Sequence, residues 1–127
     1  MEQLLLHLIG DYITQSHWMA TNKTKASMPC LIHVVLYSAG FLLLRPSLAA
    51  FAVIAVTHFF IDRFRLARFV VFAKNWAGCP IFADLSWNDC SATGFASDVP
   101  PWLAVWLLIV VDNTLHLSIN YAALRWL

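Results

Sequence analysis

Four of the five histidines and three of the seven acidic residues of this chain lie inside hydrophobic runs. Six of these residues form three pairs at a spacing of four: His7 with Asp11, His58 with Asp62, and Asp112 with His116. His33 stands alone. Residues four apart share one face of an α-helix, one turn above another. Three helices would therefore each present an imidazole and a carboxylate in one direction, and a fourth would add an imidazole. Ionisable groups in apolar helices are costly and mark a functional site. Imidazole and carboxylate donors together are what a divalent metal takes.

A zinc ion takes three or four such ligands, and a catalytic zinc leaves one position to water. Seven candidates, His7, Asp11, His33, His58, Asp62, Asp112 and His116, exceed one ion and suit two ions that share a carboxylate. The expectation is one or two divalent ions, zinc ahead of manganese. Two metals about 3.5–4 Å apart can clamp a phosphoryl group and activate the attacking water. Asp11 and Asp62 are the carboxylates expected to act as catalytic base. Gln15, one turn beyond Asp11, is placed to hold a ligand or a substrate oxygen. Lys23, Lys25, Arg63 and Arg65 form a basic rim suited to an anionic headgroup or phosphate. A single His–Asp pair in a membrane helix is more commonly an interhelical hydrogen bond than a ligand pair. Three pairs plus His33 are hard to explain as unrelated polar contacts. His17 borders a loop and reads as interfacial, while Asp84, Asp89 and Asp98 lie in a polar loop and read as solvated.

The elements that must position these residues belong to an apolar chain. Its 127 residues leave room for one domain, spanning 1–127. It is 61% hydrophobic and 12% charged, with a mean hydropathy of +0.70, whereas a soluble domain is about a quarter charged. The composition reads as an integral membrane protein, and a net charge of +1 gives no basic surface for nucleic acid. The N-terminus lacks a basic n-region and its apolar stretch is interrupted by Asp11 and Gln15, unlike a cleavable signal peptide. Three cysteines, Cys30, Cys79 and Cys90, show no CxxC spacing. A Cys79–Cys90 disulfide stays open, reduced thiols are the default, and none is counted as a ligand.

The periodicity predicts an all-α polytopic transmembrane bundle of about four hydrophobic helices. The first covers about residues 2–20, with His7, Asp11 and Gln15 as a polar stripe. The second starts at Pro29 and runs to about Leu44, where Arg45 and Pro46 break it. The third, capped by Ser47, reaches Asp62. Residues 63–74 alternate basic and apolar side chains and read as an amphipathic extension in the headgroup region. Residues 75–99 read as a polar loop or cap. Pro100 and Pro101 open a last segment to about Leu127, expected to break before Asp112, because Asp112–Asn113–Thr114 starts a helix better than it continues one. That break would bring Asp112 and His116 level with His33, His58 and Asp62. With four spans, Lys23, Lys25, Arg63, Arg65, Arg68 and Lys74 share one side against Arg45 and Arg125 on the other. The basic side is then cytoplasmic, in a bacterial inner membrane.

The segments "LLLHLIGDYITQSHWMATNKTK", "LIHVVLYS", "THFFIDRFR" and "VVDNTLHL" resemble the bacterial and phage membrane-protein family catalogued as domain of unknown function 3307. Its pattern, H-x-x-G-D-[FY]-x-x-Q, a lone His, H-[FW]-x-[IL]-D and D-Q-x-x-H, matches at His7, Gly10, Asp11, Gln15, His33, His58, Asp62, Asp112 and His116. Asn113 stands where the family carries Gln, which bears on an amide supporting the ligands. The resemblance covers about residues 3–66 and 107–120. The family is similar in turn to membrane-bound metal-dependent hydrolases, and the resemblance implies hydrolysis of a phosphoester, with a lipid-linked one among the expected substrates. Membrane lipids, an anionic lipid or phosphoester, and a second copy of the chain are the expected partners. Two other classes fit the same residues: a small oligomeric ion or proton transporter, and a non-catalytic membrane partner protein.

Overall fold

A computed structural model of the protein describes residues 1–78 and 85–127. Helix accounts for 79% of the described residues, and no strand occurs among them. The order is α1 (Glu2–Leu8), a π-helical turn (Ile9–Ile13), α2 (His17–Asn22), α3 (Ser27–Phe41) with a 3-10 turn (Leu42–Leu44), α4 (Leu48–Phe64), α5 (Ala67–Gly78), α6 (Trp87–Cys90) and α7 (Pro101–Trp126).

Local chemistry sets these boundaries. Ser16 caps α2, its Oγ accepting from Met19 N at 3.3 Å. Pro29 lies in the first turn of α3, where a missing N–H goes unused. Ser47 Oγ accepts from Ala50 N at 3.0 Å at the start of α4, as its position before the apolar run predicts. Pro101 opens α7.

Three expectations are corrected. The first apolar segment is not one helix to residue 20. It passes from α1 into the π-turn and ends before Ser16, because the ladder has already slipped to Thr14 N donating to Ile9 O at 2.9 Å. Residues 63–74 do not extend the third helix. Arg65 turns left-handed (φ 54°) and ends α4, so α5 is separate and reaches Gly78, inside the stretch read as loop; α6 also lies there. The last segment does not break at Asp112. Asn113 Nδ2 and Thr114 Oγ1 each donate back one turn, to Ile109 O and Val110 O at 2.7 Å, so both polar residues are accommodated in one 26-residue helix.

These corrections change the count of spans. Among the described residues two helices, not four, are long and apolar enough to cross a membrane: Ser27–Leu44 and Pro101–Trp126. The first segment is divided, and the 17 residues of α4 rise only about 26 Å against a hydrocarbon core of about 30 Å.

The chain forms two compact units, Met1–Phe64 with His116–Leu127, and Arg65–Leu115, with α7 passing from the second into the first. In the first unit α3 packs most extensively on α4. Tyr37, Phe41, Ala50, Ile54 and Ala123 form its apolar core, with Leu6, Leu44, Val53 and Leu124 against them. Ala50 and Ala123 are small enough to let helices approach closely. In the second unit Arg68 lies over Phe69 and Trp87, 4.9 and 5.5 Å from their centroids, and Phe69 stacks on Trp87 at 4.7 Å. Gly94 (φ 84°) is where a Cβ would strike Arg68 O and Val71. Cys90 is fully buried, and burial raises its thiol above the ordinary value. The Cys79–Cys90 alternative and the reading of Asp84 fall on residues outside those described.

Candidate metal centre

The site lies inside the first unit and is assembled from four elements. The π-turn brings Asp11, α3 brings His33, α4 brings His58 and Asp62, and the second half of α7 brings His116. Single π-turns inside helices recur at functional sites because they re-aim side chains, and this one carries the acidic residue of the first His–Asp pair. Gly10, within it, is buried against Tyr37, and a Cβ there would overlap the Tyr37 ring. The glycine of the H-x-x-G-D element is thus a packing requirement.

His33 Nε2 and His58 Nε2 stand 3.0 Å apart. Asp11 Oδ1 lies 3.2 Å from the first and 3.4 Å from the second. Asp62 Oδ2 lies 3.2 Å from each, and Asp62 Oδ1 is 3.6 Å from His116 Nε2. Two groups with ligand-atom spacing result: Asp11, His33 and His58, and His58, Asp62 and His116. His58 is common to both. His33 and His58 are fully buried, His116 is 1% exposed and Asp62 5%.

These separations fit a small divalent ion. Donors at about 2.0–2.1 Å in a tetrahedral array lie about 3.3–3.4 Å from one another, and the first group spans 3.0–3.4 Å. Asp11 Oδ1 is buried and makes no hydrogen bond among the described residues despite its two close nitrogens. Close approach without hydrogen-bond alignment is what donors aimed at a common point produce. Two carboxylates facing three imidazoles also supply the donor types and the negative charge that a divalent cation takes.

Around this cluster lies a second layer. His7, fully buried, has Nδ1 3.3 Å from Asp11 Oδ2 and 2.9 Å from Tyr37 Oη. Asn120 Nδ2 donates to the same Tyr37 Oη at 2.7 Å. The Tyr37 ring stacks on His58 at 3.7 Å between centroids, and His116 lies 4.1 Å from His58 on the same measure. Tyr37 and Asn120 were not singled out from the sequence, where the non-ionisable residues considered were Gln15 and Asn113. The signal was present: Tyr37 follows His33 by four residues and Asn120 follows His116 by four.

The other predicted residues divide. Lys23 Nζ is 2.8 Å from Asp62 Oδ2. Arg63 holds the α2–α3 connection, donating to Thr24 O at 2.7 Å and Lys25 O at 3.3 Å, while the Lys25 side chain is exposed. Arg65, in the second unit, donates to Ala92 O at 2.7 Å. Gln15 lies in the break after the π-turn, its Oε1 buried and without a hydrogen bond among the described residues. Asp112, half-buried one turn before His116, belongs to neither ligand group. Asn113 bonds back to its own helix.

Fold and site together define an all-helical protein with buried His/Asp groups able to hold a metal ion. A family profile described as Protein of unknown function (DUF3307) matches residues 1–88. The chain belongs to that family, and the matched part supplies Asp11, His33, His58 and Asp62 of the cluster. His116 comes from beyond it. No curated protein and no solved structure matches the chain.

Proposed function

We propose that this chain is a membrane-embedded, metal-dependent hydrolase of a phosphoester, acting on a lipid or lipid-linked substrate. The observation that carries the reading is the convergence of Asp11 Oδ1, His33 Nε2 and His58 Nε2 within 3.0–3.4 Å of one another. The second group, His58, Asp62 and His116, would be an alternative donor set for the ion, because a neutral imidazole offers one lone pair and His58 serves one group at a time. A divalent ion held there would supply Lewis acidity and activate water as a nucleophile at neutral pH.

The chain's own residues divide the remaining work. Asp11 has the more exposed carboxylate of the two, 12% against 4%, and where the ion takes the His58, Asp62 and His116 group it is the spare carboxylate that would serve as general base. Asp62 faces His33, His58 and His116, and in the metal-free chain it also holds Lys23. His7 orients Asp11 from behind, itself held by Tyr37. Lys23, Lys25 and Arg63 lie on or beside one loop and give an anionic headgroup a place to dock.

Membrane embedding rests on Ser27–Leu44 and Pro101–Trp126 and on large apolar side chains left exposed, among them Leu43, Leu48, Trp102 and Trp106. The Lys23/Lys25 loop, which Arg63 joins through Thr24 O and Lys25 O, faces the cytoplasm by the positive-inside rule.

The test is hydrolysis of phosphomonoester and phosphodiester lipids by the purified, metal-loaded chain in nanodiscs. Turnover that a chelator removes and that Asp11→Asn lowers by about a hundredfold or more is expected. A chain that binds metal, hydrolyses none of them and passes ions or protons in proteoliposomes would replace this reading with a transport one.

A further inference from the structure

The oxygen of Asp62 that faces the two central imidazoles already has a cation on it. Lys23 Nζ lies 2.8 Å from Asp62 Oδ2, and that oxygen stands 3.2 Å from both His33 Nε2 and His58 Nε2. The ammonium therefore sits beside the ligand atoms rather than at a remote rim.

Its support is local and comes from the same helix. Arg63, the residue after Asp62, grips the connection that carries Lys23: Nη1 donates to Thr24 O at 2.7 Å, Nη2 to Lys25 O at 3.3 Å and Nε to Ser27 Oγ at 3.4 Å. Asp62 thus holds the lysine side chain while Arg63 holds the backbone just beyond it. Lys23 itself is the residue at which α2 ends, so its side chain is borne by a turn and not by a helix interior. That side chain keeps 18% exposure against 4% for Asp62. The ammonium has a way out towards solvent that the carboxylate lacks.

Two cations cannot share one carboxylate oxygen at contact distance in a poorly screened interior without strong repulsion. We propose that Lys23 is a tethered counter-cation: it neutralises Asp62 in the metal-free protein and must leave Asp62 when a divalent ion enters, so that this lysine sets the metal affinity of the site. The inference rests on the metal-binding part of the proposed function. Apparent affinity falls by the fraction of molecules whose site is competent, and Lys23 on Asp62 makes most molecules incompetent. Once displaced, the ammonium stays on its short tether beside the cluster, where it suits a phosphoryl oxygen.

Equilibrium titration of the full-length protein with buffered Zn²⁺ or Mn²⁺ tests this, run on the wild type, Lys23→Met and Lys23→Arg, with thermal unfolding of each metal-free form. Lys23→Met keeps the stem and removes the charge. It is expected to bind metal about tenfold more tightly than wild type, to melt lower when metal-free because buried Asp62 loses its ammonium partner, and to gain more from added metal. Lys23→Arg keeps a competing charge and binds no more tightly than wild type. A Lys23→Met protein that binds metal as wild type does, or more weakly, overturns the proposal and leaves the metal site standing. A wild type that binds no metal overturns the metal site itself.

Discussion

In the unit built from Met1–Phe64 and His116–Leu127, ionisable side chains face one another. His7, Asp11, His33, His58, Asp62, Lys23 and His116 are linked by contacts of 2.8–3.6 Å, and most of them are buried. In Arg65–Leu115 the cations are turned to other partners. Arg65 and Arg68 donate to the carbonyls of Ala92 and Ser91 at 2.7 and 2.9 Å, Arg68 lies over Trp87, and Lys74 lies 5.1 Å from the centre of the Phe95 ring. Backbone carbonyls and aromatic faces satisfy a cation without creating a reactive site. A closed set of imidazoles and carboxylates could instead hold a metal ion. The same residue types therefore read as chemistry in one unit and as scaffolding in the other.

The sharpest way to break this contrast is at His58, the residue common to both ligand groups. His58→Gln is expected to remove at least nine-tenths of bound metal, as loss of a shared ligand should, while His33→Gln leaves the Asp62 group able to hold an ion. Metal analysis of the two purified variants decides whether His58 is central. Asp62→Asn comes next. It removes the partner of Lys23 and a ligand together, and metal affinity measured by titration should fall by about a hundredfold. A fall no greater than that of Asp112→Asn, whose residue lies in neither group, would dissolve the distinction between them.

Gly10→Ala probes the packing beneath the site. The added methyl must displace Tyr37, and overpacking of this kind costs about 1–3 kcal/mol, read as a lower melting temperature with a weakened metal site. Tyr37→Phe leaves the stack on His58 and removes the hydroxyl that meets His7 and Asn120. A loss of about 1–3 kcal/mol is expected from the unsatisfied buried donor, together with a fall of up to about tenfold in metal affinity. The smallest effect belongs to the second unit. Arg68→Ala should lower stability by about 1 kcal/mol and leave metal content at the wild-type level. A loss of metal there would show that the two units are not divided as described.

Much of the site was legible because its residues are of types that apolar helices avoid. His7, Asp11, His58 and Asp62 stand out against their runs of Leu, Ile and Phe, and spacing alone pairs them. Tyr37 and Asn120 were not legible in the same way, since a tyrosine and an asparagine in an apolar run carry no cost that demands explanation. The helical class followed from periodicity, but the boundaries did not. The π-turn at Ile9–Ile13 looks like ordinary helix in sequence, and Asn113 and Thr114 look like a break only if their bonds to the preceding turn are overlooked. The left-handed Arg65 has no sequence signature, because arginine rarely adopts that conformation. These boundaries decide how many helices can cross a bilayer, so the count of spans was the least readable feature.

The central claim is that a cation gathers imidazoles and carboxylates from separate elements at one buried point. Its most direct test is the metal content of the purified full-length protein beside His58→Ala and His58→Gln, each checked for helical content by circular dichroism. The account predicts at least one divalent ion per wild-type chain and almost none in either folded variant. Negligible metal in all three, or equal metal in all three, would contradict it.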